Sequence, residues 1–168
     1  KDHLTNGFKK KSIEIDPVSF LTPVPSKNKL YLAATYSKAP SQIIEFNLDS
    51  HNTKMIKIST SLNVDEENIS EGQMIIFPTT DGKLSYGYFY PPVNKNFCAV
   101  PGEQPPVRVL IHGGPTGMTT LGFSKKLMFW TSQGYAVFDV NYRGSFGFDR
   151  KYRDALLNNW GILEIQDV

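Results

Sequence analysis

A single cysteine, Cys98, stands in 168 residues. That excludes an intrachain disulfide framework and suits a reducing, cytoplasmic compartment. Cys98 falls in a proline-rich connector with no base beside it, so an incidental loop thiol is expected rather than a nucleophile. Excess charge of one sign is lacking too. The 18 basic and 16 acidic residues leave +2, which gives no reason to invoke nucleic acid or a membrane surface as partner. No apolar run approaches the roughly 20 residues of a membrane-spanning helix, and no signal-peptide core is visible. No His/Cys/Asp spacing suggests a metal and no glycine pattern suggests a phosphate loop, so no cofactor is expected. Hydrophobic content of 40% and charged content of 20% are ordinary for a globular protein. The opening Lys1-Asp2-His3-Leu4 lacks an initiator methionine, and the expectation is an excerpt of a longer chain.

What is present divides into two styles. Residues 29–37, 42–48 and 53–58 are β-rich runs separated by turn residues, the pattern of successive antiparallel strands. They amount to one blade of a β-propeller, which cannot bury its faces alone. Residues 61–71 are polar and acidic, a linker or boundary. Two further strands, 74–78 and 84–90, flank Asp81-Gly82, a strong hairpin signal. The connector 91–106 holds five prolines and cannot be a central strand.

Beyond it, residues 107–111 form a nearly continuous apolar, β-branched run, which predicts a strand buried on both faces. Phe123, Leu127 and Trp130 recur at helical spacing up to Gly134; residues 135–140 are strand-like again. Phe148, Tyr152 and Leu156 mark a second helix opening near Asp149 and closing at Trp160-Gly161. Strand, helix, strand, helix predicts a mainly parallel sheet. The chain thus reads as β plus α/β, in two incomplete domains at 1–71 and 72–168.

The strongest chemical signal is His112-Gly113-Gly114-Pro115, directly after a buried strand. Consecutive glycines let backbone N–H groups face a site unobstructed, as in the oxyanion loop of α/β-hydrolases. Alone, the motif is equally compatible with a glycine turn needed only for chain reversal. Residues 112–117 (HGGPTG), 141–147 (NYRGSFG), 152–156 (YRDAL) and Trp160-Gly161 with Asp167 together resemble the successive landmarks of the prolyl oligopeptidase family. The branch they are most similar to is that of acylaminoacyl and dipeptidyl peptidases. The match covers about residues 72–168; residues 1–60 are only weakly similar to the last propeller blade.

The resemblance implies the end of a β-propeller followed by the N-terminal part of an α/β-hydrolase domain. It implies hydrolysis of short peptides through an acyl-enzyme, with catalytic Ser, Asp and His all downstream. Gly113 and Gly114 would supply an oxyanion-hole donor, Gly114 preferred, with His112, Pro115, Tyr142 and Arg143 in the active-site loops. For Arg143, pairing with a carboxylate as scaffold is favoured over substrate binding. His112 is a poor general base and is expected to hold the glycine turn. His3 and His51 read as surface residues. Homo-oligomerisation is left open.

No G-x-S-x-G elbow occurs. Arg143 stands where Ser145 would need its first glycine, and Lys126 where Ser124 would need its second. Glu164 departs from the family pattern, which prefers Asp nearby. The chain alone is therefore expected to hydrolyse nothing, and to be poorly soluble because the strand at 107–111 lacks one neighbour. The alternatives are a carboxylesterase-like hydrolase, against which Pro115 and the NYRG run argue, and a non-catalytic binding or scaffold relative.

Overall fold

The computed structural model describes residues 15–21, 23–61 and 65–168; His3 and part of the boundary segment lie outside them. Two sheets follow one another in the chain. The first contains β1 (Ser19–Phe20), β2 (Val24–Ser26), β3 (Lys29–Thr35), β4 (Gln42–Asn47) and β5 (Thr53–Ile58). β1 and β2 both pair with β3, then β4 and β5 add in chain order, all antiparallel. Alternation works as the two-residue period requires. Leu32 and Ala34 of β3 and Ile44 and Phe46 of β4 are buried, while Tyr31 and Glu45 face out and share a hydrogen bond of 2.8 Å. Met55 and Ile56 on β5 are exposed, because among the described residues β5 has only β4 as a neighbour.

After a single 3-10 turn at Glu66–Asn68, the second sheet runs β6 (Gln73–Pro78), β7 (Leu84–Tyr90), β8 (Val107–Ile111) and β9 (Ala136–Asn141), in the order β6-β7-β9-β8. β8 and β9 are parallel, but β6–β7 and β7–β9 are antiparallel. The expectation of a mainly parallel sheet is thus corrected: the Asp81-Gly82 hairpin joins the same sheet and reverses its sense. The strand covered on both faces is also not β8. Val107, Val109 and Ile111 are exposed, whereas Val137 and Val140 of β9 are fully buried. β9 lies between β7 and β8, while β8 pairs with β9 alone among the described residues.

Helix α1 (Lys125–Ser132) links β8 to β9 and packs Leu127 against Tyr90 and Val137. Ser124 caps its start, its Oγ accepting the Leu127 N–H. Gly134, at φ +88°, ends it. The Tyr135 N–H reaches Trp130 O and the Gly134 N–H reaches Thr131 O, the paired bonds of a left-handed glycine stop. On the opposite face Val140, Tyr142, Leu156 and Leu163 form a second core.

The expected long second helix is instead a short α2 (Arg150–Asp154), a run of turns, and α3 (Leu163–Gln166). Asp149 caps α2 as anticipated. Asn158 then adopts φ +63° and the Asn159 side chain takes the Ala155 and Leu157 carbonyls, competing with helical bonding. Trp160-Gly161 therefore sits in a turn before α3. Among the described residues, no helix is long and apolar enough to cross a membrane.

Candidate active site

Two loops meet at the C-terminal ends of β8 and β9: residues 112–119, and residues 142–148. The second, together with Asn141 at the end of β9, pins the first at four points. Asn141 exchanges hydrogen bonds with the Thr119 main chain, accepting its N–H at Oδ1 (2.8 Å) and donating from Nδ2 to its carbonyl (3.1 Å). The Phe146 N–H donates to Gly117 O at 2.9 Å. Tyr142 Oη donates to Pro115 O (2.7 Å) and lies 3.2 Å from His112 O. His112 Nε2 lies 2.7 Å from Ser145 Oγ. The His112 ring also stacks on Tyr142, with centroids 4.5 Å apart, and its Nδ1 is 3.0 Å from Gly113 O.

Gly113 and Gly114 form the exposed crest of this arrangement. Their amide N–H groups donate to none of the described residues, so both are available to an acceptor from outside. Gly114 sits at φ +120°, and a Cβ there would meet Gly117 N at 3.2 Å. The loop is tight as well as pinned, because a Cβ on Gly117 would approach Gly113 O to 2.7 Å. Prepositioned, unbonded amides are what a developing oxyanion requires.

Ser145 beside His112 superficially resembles a nucleophile and its base. The geometry denies that role. Ser145 is fully buried, and its Oγ donates to Tyr142 O at 2.7 Å, with His112 on the lone-pair side. A hydroxyl so enclosed cannot reach a substrate carbonyl.

Arg143 points away from the glycine crest into the protein. Its Nε and Nη2 reach the Asp167 carboxylate at 2.6–3.1 Å, and the Arg143 N–H also donates to Asp167 at 2.7 Å. Its Nη1 holds Asp81 at 2.7 Å. The guanidinium thus ties the β6–β7 turn, the end of β9 and α3 together. Asp167, then Asp81, hold it above the usual arginine range. The Asp81 carboxyl is held well below the usual carboxylate range, first by the Thr79 hydroxyl and then by Arg143. Asp81 reads from the sequence only as a turn residue; its partner is 62 positions away.

An open cleft of about 410 Å³ lies beside the loop, lined among others by Leu110, His112, Met118, Lys126 and Asp139. Burial pushes the Asp139 carboxyl up, partly offset by the Thr119 hydroxyl bonded to it. Cys98 is exposed in the connector, far in sequence from these loops. Glu164 accepts the Gly161 N–H at 2.8 Å and so holds the turn that precedes α3.

A strand ending in a glycine loop, with a following helix and parallel strand, is an arrangement that α/β-hydrolases use for their oxyanion loop. Residues 121–168 match the sequence profile of the prolyl oligopeptidase family. Acylamino-acid-releasing enzyme 1 of Oryza sativa is 43% identical over 63 residues, covering 38% of this chain and 8% of its own length. Dipeptidyl-peptidase 5 of Schizosaccharomyces pombe is 24% identical over 147 residues, covering 86% of this chain and 20% of its own. The crystal structure of puromycin hydrolase superposes with a TM-score of 0.82 at 29% identity, covering 88% of this chain and 22% of that one. Over residues 121–168 the chain is similar to the prolyl oligopeptidase family. It spans less than a quarter of the length of these relatives.

Proposed function

We propose that this chain is the part of a serine peptidase that carries one wall of its oxyanion hole, in an enzyme that hydrolyses short peptides. The observation that carries the reading is the pinned glycine crest, with the Gly113 and Gly114 amides unbonded and exposed. In the reaction a serine attacks the scissile carbonyl and negative charge gathers on its oxygen. The two amides stabilise that charge, the amine leaves, and water releases the acyl-enzyme. The Ser, Asp and His of the triad lie outside residues 1–168, because no G-x-S-x-G elbow occurs within them and Ser145 is enclosed. The 168-residue polypeptide by itself is accordingly inactive.

Dipeptidyl or acylaminoacyl substrates are favoured by the names of the relatives. Residues 1–71 serve as propeller blade and linker, a reading supported by the antiparallel meander β3-β4-β5; residues 72–168 begin the hydrolase domain. The lone exposed thiol suits a cytoplasmic setting. The test is to assay the complete protein on acetyl-aminoacyl and dipeptidyl amides. Hydrolysis that stops after treatment with a serine-directed inhibitor is expected. Cleavage of simple esters only would return an esterase, and no cleavage of either a non-catalytic relative.

A further inference from the structure

Tyr142 is buried under the glycine crest, and its hydroxyl faces two main-chain carbonyls, Pro115 O at 2.7 Å and His112 O at 3.2 Å. These carbonyls bracket Gly113 and Gly114. The single phenolic proton goes mainly to Pro115 O, with His112 O on the weaker arm of a shared bond. In a trans peptide the C=O and the next N–H point in opposite directions. Drawing His112 O down toward Tyr142 therefore turns the Gly113 N–H outward. The Gly113 carbonyl, turned toward His112 Nδ1 at 3.0 Å, does the same for the Gly114 N–H. The Tyr142 ring in turn supports the His112 ring by stacking.

We propose that Tyr142 is a positioning residue of this site: its hydroxyl braces both shoulders of the loop and thereby aims the Gly113 and Gly114 amides. The inference rests on the peptidase reading for what the amides bind, but not for the brace itself. Burial keeps the phenol protonated, pushing its pKa up, so the brace persists through the neutral range.

The test is Tyr142→Phe in the complete protein, which removes one oxygen and keeps the ring. The crystal structure of the variant is expected to show residues 113–115 displaced by about 1 Å, and kcat to fall about tenfold or more with KM within about twofold. A loop left in place overturns the brace. A displaced loop with unchanged kcat, or a loss confined to KM, overturns the positioning role. If the wild-type protein proves inactive, the peptidase reading fails, and the loop position in the variant still decides whether the brace exists.

Discussion

Replacing Asp167 with alanine strips Arg143 of its main counter-charge. The guanidinium is 3% exposed and the Asp167 carboxylate 0% exposed, so water cannot enter to replace what is lost. Breaking a buried pair by removing one partner typically costs about 3–5 kcal/mol, and the orphaned Arg143 main-chain N–H adds about 1 kcal/mol. That is a large share of the roughly 5–15 kcal/mol that holds an ordinary domain together. Asp81 offers a built-in comparison. Its carboxylate is 38% exposed, so Asp81→Ala leaves a site that water reaches, and the loss is expected to be clearly smaller. The double replacement Arg143→Met with Asp167→Leu removes both buried charges and is expected to recover most of the single-variant loss. Urea unfolding of the complete protein, followed by circular dichroism, reads all of these. An Asp167→Ala loss below about 1 kcal/mol would refute the reasoning, as would a double variant less stable than the single one.

Gly144 sits at φ +118° with Leu156 only 2.6 Å from where a Cβ would stand. Gly144→Ala should therefore lower stability by about 2 kcal/mol or more, whereas Gly113→Ala, where nothing lies within 4 Å, should melt like the wild type. Burial raises the Asp139 carboxyl, so its favourable contribution is complete below the ordinary carboxylate pKa and is lost as pH rises through the folded value. Asp139→Asn is expected to stabilise at pH 7, with the two unfolding curves converging in acid; equal stability at pH 7 would contradict this. Residues 1–168 expressed alone should self-associate, because the exposed Val107, Val109 and Ile111 accompany a β8 edge left open among the described residues. Light scattering showing a monodisperse monomer would overturn that.

Local signals carried the strands well. β7 and β8 fall where their β-branched and aromatic runs place them, and β5 begins and ends at its turn residues. What the pattern could not reveal was neighbourhood. The apolar run of β8 says that two faces want cover, not that β9 would receive it. The second helix was overread because Phe148, Tyr152 and Leu156 keep a helical period. Asn158 and Asn159 divert the backbone just beyond them. The glycine loop after β8 is legible as a turn because consecutive glycines end an apolar strand there. The Tyr142 hydroxyl bridge and the Asp81 end of the Arg143 network were not, since both depend on contacts between residues far apart in sequence.

Gly113 and Gly114 are proposed to serve a nucleophilic serine lying outside residues 1–168. The direct measurement is to treat the complete protein with a fluorophosphonate probe and locate the adduct by peptide mass spectrometry. One labelled serine is expected, outside 1–168, whose labelling is slowed by a short peptide substrate. An adduct on Ser145, or no adduct on a folded protein, would contradict it.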